Sequence, residues 1–226
     1  MDLELKDKVV LVTGGAKGIG AAICKSLAKE GAIPIIIGRK REDNILLEKE
    51  IVRAGGQCAT LQAELTHPDE CEKIVESAAR LYGRIDGLVN NAGVNDGVGL
   101  EKGSYDDFVN SLHRNLVHYY LLAKYALPFL KISEGAIVNI GSKTAETGQG
   151  GTSGYAAANG GRNALTREWA VDLLPYKIRV NAVIVAEAMT PLYASWLSTF
   201  DNVEEKLADI TRKIPLGNRM TRVEEI

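Results

Sequence analysis

Cysteine is scarce. Cys24, Cys58 and Cys71 are the only three in 226 residues, widely spaced and without a CxxC pair, so neither a disulfide framework nor a cysteine zinc site is indicated. A reducing compartment, the cytoplasm, is expected. An excess of charge of one sign is also missing: 27 Lys plus Arg stand against 29 Asp plus Glu, a net charge of -2. That balance offers no general attraction to nucleic acid or to an anionic membrane. Long apolar runs are absent too, since Val9 to Val12 and Ile33 to Ile37 fall far short of the roughly 20 residues that span a bilayer. Met1 to Lys8 alternates charged and apolar residues and lacks the apolar stretch of a signal peptide. The three histidines, His67, His113 and His118, show no HExxH or paired spacing, so they read as caps or packed helix residues and no metal is expected.

What is present is the composition of a folded domain, 46% hydrophobic and 25% charged. No linker or internal repeat divides it, and residues 1–226 read as a single domain. Lys8 to Thr13 is a short run rich in β-branched residues and ended by glycines, the pattern of a strand buried on both faces. Gly18 to Gly31 follows with helical spacing of Ile19, Ala22, Ile23 and Leu27. Further strands are expected at 33–37, 59–65, 87–90, 136–140 and 178–185, with helices near 42–54, 68–82, 104–131 and 154–174. Strict alternation of this kind predicts an α/β fold, a doubly wound parallel sheet of the Rossmann type in three layers, α/β/α.

After the first strand the chain reads Thr13-Gly14-Gly15-Ala16-Lys17-Gly18-Ile19-Gly20 and enters a helix directly. Glycines let backbone approach a pyrophosphate, and the helix N-terminus presents N–H donors to it. The second strand ends in Gly38-Arg39-Lys40-Arg41, where an acidic residue would favour NAD. A small residue followed by cations, with Lys17 nearby, suits a 2′-phosphate instead. NADP is the expected cofactor, with NAD possible.

Taken together, the glycine turn with Thr13, the Asn90-Asn91-Ala92-Gly93 segment, Asn115, Ser142 and Tyr155 resemble the short-chain dehydrogenases/reductases over nearly the whole chain. The resemblance implies hydride transfer between a nicotinamide and an alcohol or carbonyl carbon. Tyr155 would move the proton, Ser142 would hydrogen-bond the substrate oxygen, and Asn115 would hold a water in the proton path. It also implies cofactor contacts at Gly14, Lys17, Gly18, Ile19, Gly20, Arg39, Glu64, Leu65, Asn91, Ala92, Gly93, Tyr155, Asn159, Ala188 and Thr190.

The sequence departs from the family pattern in three places. The family motif is Tyr-x-x-x-Lys, but Asn159 stands four residues after Tyr155. Asn159 could bind a ribose hydroxyl yet carries no charge, so restoring lysine is expected to raise turnover. Lys143 and Arg162 are possible substitutes, read first as substrate contacts or solvated surface. The segment after the sixth strand, Val185 to Pro191, lacks the family's Pro-Gly, and the usual last helix and edge strand have no counterpart before Ile226.

Asn95, Ser142, Lys143, Gln149 and Glu187 fall near the expected carboxyl ends of strands, where ligands bind in such sheets. A pocket this polar suits a sugar or polyol better than a steroid or acyl chain. The segments look most like the L-fucose dehydrogenase branch of the family. Two other readings stand beside that one: a nucleotide-binding pseudoenzyme, disabled by Asn159, and a 3-oxoacyl or other carbonyl reductase. As such proteins commonly assemble, a homotetramer or dimer is expected.

Overall fold

Six short strands, three of them mostly β-branched, lie side by side as one parallel sheet in the computed structural model, which describes residues 1–226. In chain order the elements are β1 (Val9–Thr13), α1 (Gly18–Lys29), β2 (Ile33–Gly38), α2 (Arg41–Arg53), β3 (Ala59–Gln62), α3 (Pro68–Tyr82) and β4 (Gly87–Asn90). They are followed by α4 (Tyr105–Leu112), α5 (His118–Ser133), β5 (Ala136–Ser142), α6 (Ser153–Asp172), β6 (Arg179–Val185), α7 (Pro191–Leu197) and α8 (Val203–Thr211). The sheet order is β3-β2-β1-β4-β5-β6. Strand order therefore reverses between β1 and β4, and their carboxyl ends open a crevice.

Alternation along the strands sends side chains to two cores. Val9, Leu11, Ile33, Ile35 and Ile37 pack with Ile74 and Val75 of α3, Tyr119 and Leu122 of α5 and Trp169 of α6. Val10, Val12 and Ile36 pack with Cys24 and Ala28 of α1 and Leu47 and Ile51 of α2. Burying both faces explains why these strands read as continuous apolar runs. Gly31 (φ 81°) and Gly83 (φ 69°) take left-handed backbone where α1 and α3 end, a conformation glycine adopts without steric cost.

Several element ends differ from the sequence expectation, β5 among them, which runs to Ser142 rather than residue 140, and two of the differences have tertiary causes. β3 ends at Gln62, not at residue 65, because the chain turns there. Glu64 Oε1 accepts from Thr66 N, and Glu70 takes the Glu64 N–H. The single helix expected over 104–131 is instead α4 and α5 joined by a π-helical turn, His113–Val117. Within that turn the Asn115 carbonyl accepts from Arg162 Nε at 2.7 Å. β6 forms the sheet edge. Beyond it a parallel bridge joins Ala188 to Thr221, and a 3-10 turn spans Val223–Glu225. No helix is long and apolar enough to cross a membrane.

Candidate active site

The glycine turn is bolted to the end of β4. Thr13, fully buried, accepts from Asn91 N at 2.8 Å and Ala92 N at 3.0 Å through its hydroxyl. In return Asn91 Nδ2 donates to Thr13 O at 2.9 Å and Gly14 O at 3.2 Å. The closeness dictates the residue types: a Cβ on Gly20 would lie 2.2 Å from Gly14 O. Gly14 itself has φ 59°. Across the crevice, Thr190 and Pro191 stand against Gly18, at ordinary contact distance from where its Cβ would be. Gly14, Gly18, Gly20, Asn91, Ala92, Gly93 and Thr190 are thus gathered at one sheet end, with Ile19 half-buried in the first turn of α1. That turn has no side-chain cap, since Lys17 at the N-cap makes no capping hydrogen bond, so its N–H groups point outward unpaired by side chains.

At the end of β2, Lys17 Nζ pairs with Asp43 at 2.8 Å and Arg39 with Glu64 at 3.6 Å, all near the surface. Burial would raise the Glu64 carboxyl, but hydrogen bonds from Thr66 and the Arg39 charge hold it below the ordinary value. Gly38 has an internal reason for being glycine: a Cβ would meet Asn44 Oδ1 at 2.3 Å. Asn44 is buried and donates to Gly38 O and Leu61 O, tying β2 to β3. Leu65 turns its side chain into the core, and its carbonyl accepts from the Cys71 thiol. Ala188 is buried as well.

Asn115, Ser142, Tyr155 and Asn159 lie on the elements around the β4–β5 end. Ser142 Oγ accepts from Thr144 N at 3.3 Å and Thr144 Oγ1 at 3.1 Å, which leaves its own O–H to donate elsewhere. Tyr155 is half-buried in the first turn of α6. Asn115 is fully buried: Oδ1 accepts from Val94 N at 2.8 Å and Nδ2 donates to Ser111 O at 3.0 Å. Its carbonyl accepts from Arg162 Nε at 2.7 Å and keeps a second lone pair. Asn159 is also fully buried, donating to Tyr155 O at 2.8 Å and accepting from Arg162 at 3.0 Å.

Arg162 is where sequence reading fell short. Expected at the surface or on substrate, it is 3% exposed. A charged residue in an otherwise small and polar helix looks solvated until the register of α6 against the π turn is known. A second unforeseen feature is a line of buried hydrogen bonds: Asn90 to Asn139, Asn139 to Thr166, and Thr166 to Arg162 O. It ties β4, β5 and α6 together behind the crevice.

On the substrate side, Lys143 Nζ meets Glu187 Oε1 at 2.5 Å, joining the ends of β5 and β6. Burial together with the Glu187 charge pushes the Tyr193 phenol up to about 12. Asn163 Nδ2 donates to Glu146 at 2.6 Å. Gln149 lies exposed on the glycine-rich loop, and Asn95 is exposed with Oδ1 accepting from Gly97 N.

Known proteins share this fold. The family model for short chain dehydrogenase matches residues 8–199. An L-fucose dehydrogenase of Bos taurus is 32% identical over 227 residues, covering 100% of this chain and 82% of the relative. A 3-oxoacyl-[acyl-carrier-protein] reductase of Thermotoga maritima is 33% identical over 230 residues, covering 99% and 89%. Among solved structures, a dehydrogenase 44% identical superposes with TM-score 0.93 over 100% of this chain and 86% of its own. An actinorhodin polyketide ketoreductase with NADPH, 28% identical, gives 0.92 over 97% and 87%. With the glycine turn locked on Asn91, and Ser142 and Tyr155 set at the next strand end, the chain belongs to the short chain dehydrogenase family and is an oxidoreductase.

Proposed function

We propose that the protein transfers hydride between NADP and a hydroxyl- or carbonyl-bearing carbon of a sugar or polyol, an L-fucose dehydrogenase-like reaction. The observation that carries this reading is the polar rim beside Ser142, with the Lys143–Glu187 ion pair at 2.5 Å and Glu146 held by Asn163 at 2.6 Å. A polyhydroxylated ligand can add hydrogen bonds to these paired groups, whereas an acyl chain would take water from their remaining lone pairs and donors and return nothing. The Bos taurus relative acts in the same direction of argument. Assembly as a homotetramer or dimer in the cytoplasm belongs to the same proposal, on the exposed apolar side chains Tyr120, Ile132, Val171 and Leu174.

The residues fit a dinucleotide. Gly14 and Gly20 keep the turn free of side chains, and the uncapped start of α1 offers N–H donors to a pyrophosphate. Lys17 and Arg39 are held only by exposed ion pairs, weak contacts for which a 2′-phosphate can compete. Glu64, at 3.6 Å from Arg39, and the neighbouring Leu65, Ala188 and Thr190 would border it. When bound, the nicotinamide supplies the hydride acceptor or donor. Ser142 donates its free O–H to the substrate oxygen. Tyr155 takes the hydroxyl proton in the oxidative direction and returns it in the reductive one. Asn115 ties α4 to the Gly93–Val94 backbone through Ser111 O and Val94 N, and its second carbonyl lone pair would hold a water in the proton path.

A second reading, reduction of 3-oxoacyl or other carbonyl compounds, has the support of the Thermotoga maritima relative at 33% identity. Oxidation of a panel of aldoses with NADP and reduction of 3-oxoacyl thioesters with NADPH separate the two. Aldose oxidation supports the proposal, and reduction of the 3-oxo group alone replaces it. NADP binding without turnover of either class points to a pseudoenzyme.

A further inference from the structure

Arg162 is a buried cation without a counter-charge. At 3% exposure, its Nε donates to Asn115 O at 2.7 Å, and one terminal nitrogen donates to Ile140 O and Asn159 Oδ1, both at 3.0 Å. The other nitrogen reaches only Asn115 Oδ1, at 3.4 Å. A Cβ on Gly93 would come within 2.7 Å of that same nitrogen, so the glycine makes room for the guanidinium. Every acceptor is a neutral oxygen. A buried charge with such partners is costly to keep, and its field must act on whatever titrates beside it.

Three titratable rings lie nearby. Tyr119 sits with its ring centroid 4.3 Å from the guanidinium carbon, but its hydroxyl donates to Ile140 O at 3.1 Å. Burial pushes that phenol up to about 12, with the Arg162 charge opposing the rise. His118 is pushed down to about 4 by burial, with Arg162 adding to the effect. Both therefore stay neutral near neutral pH. Tyr155, half-buried, is the third, 6.0 Å from guanidinium carbon to ring centroid. The other cation considered for this role, Lys143, is neutralised by Glu187 at 2.5 Å.

We infer that Arg162 is a positioning residue for proton transfer, the buried positive charge that favours the ionised form of Tyr155, and that this is why position 159 must be a neutral hydrogen-bond acceptor. This inference rests on the oxidoreductase reading of the same site. It reverses the expectation drawn from the sequence. A lysine at 159 would set an ammonium against the guanidinium now donating to Asn159 Oδ1, two like charges in a pocket with room for one.

The test is a charge-relocation cycle in the full-length chain: Arg162→Gln, Arg162→Lys, Asn159→Lys, and the double variant Asn159→Lys/Arg162→Gln. Arg162→Gln removes the charge together with part of the donor set, and Arg162→Lys, which also loses the guanidinium fork but keeps the charge, is the control for the lost donors. Arg162→Gln should lower kcat at least about tenfold at neutral pH and move the rising limb of kcat against pH upward by about one unit or more, while Arg162→Lys leaves the limb near its natural position. Asn159→Lys should also lose activity, and the double variant should recover at least about tenfold over Asn159→Lys alone. A readout independent of turnover is the phenolate absorbance of cofactor-free protein, taken as the difference from Tyr155→Phe. It should shift to higher pH in Arg162→Gln and not in Arg162→Lys. Unmoved absorbance and an unmoved kcat limb in folded Arg162→Gln overturn the inference, as does a gain of activity in Asn159→Lys alone. If Arg162→Gln does not fold, the double variant, which retains one cation, decides: its absorbance must match the natural protein. An inactive natural protein in which the absorbance still shifts overturns the proposed function and leaves the role of Arg162 standing.

Discussion

Replacing Thr13 with valine should cost far more than its small chemical change implies. Valine preserves the shape of the side chain, so no cavity forms, but the hydroxyl that accepts from Asn91 N at 2.8 Å and Ala92 N at 3.0 Å is lost. Thr13 is fully buried, so no water can replace it. Each stranded N–H costs about 1–3 kcal/mol, and the added methyl returns about 0.8 kcal/mol of burial. The weak bond to Val89 O, at 3.4 Å, adds little. The expected loss is about 1–5 kcal/mol, set against a domain's typical 5–15 kcal/mol. Denaturant titration measures it, with Thr13→Ser as the control that keeps the hydroxyl and loses one methyl, at about 1 kcal/mol. Dinucleotide affinity should fall in the valine variant and persist in serine, because the Asn91–Gly93 segment is positioned by that hydroxyl. Equal stability of the valine and serine variants would refute the reasoning.

Arg39→Asp should abolish the preference for NADP over NAD, a change of tenfold or more in the ratio of dissociation constants read by calorimetry; an unchanged ratio removes Arg39 from the phosphate site. Glu187→Gln and Gln149→Ala should raise KM for the sugar with a smaller effect on kcat, the pattern of lost ground-state binding; unaltered kinetics in both would displace the polyol pocket. His118, pushed down to about 4 by burial, takes up its proton more readily in the unfolded chain. Stability should therefore fall by about 3 kcal/mol as pH drops from about 6.5 to 4. His118→Gln should flatten that decline in unfolding experiments, and an unchanged slope would mean His118 is not held neutral.

The sheet, its winding and the dinucleotide turn follow from local pattern. Apolar β-branched runs separated by helical spacing admit a parallel doubly wound arrangement and little else, and Gly14, Gly18 and Gly20 sit where a strand hands over to a helix. The resemblance through Ser142 and Tyr155 came from order and spacing, which survive in one dimension. Two of the misplaced boundaries have tertiary causes: Glu70 folds back on the end of β3, and Arg162 reaches across to the Asn115 carbonyl in the π turn.

What sequence alone could not assign was the state of the polar groups between elements. Gly38 looked like space for a phosphate, and it is also the space into which Asn44 reaches. Asn159 read as a missing charge because the sequence does not show that Arg162, one turn further on, is turned inward against it. A helix has a fixed period, but which of its faces is buried, and against what, is set by packing onto β5 and the π turn. Burial decides whether an arginine is solvent-screened or a lasting field beside a tyrosine, and burial exists only in three dimensions.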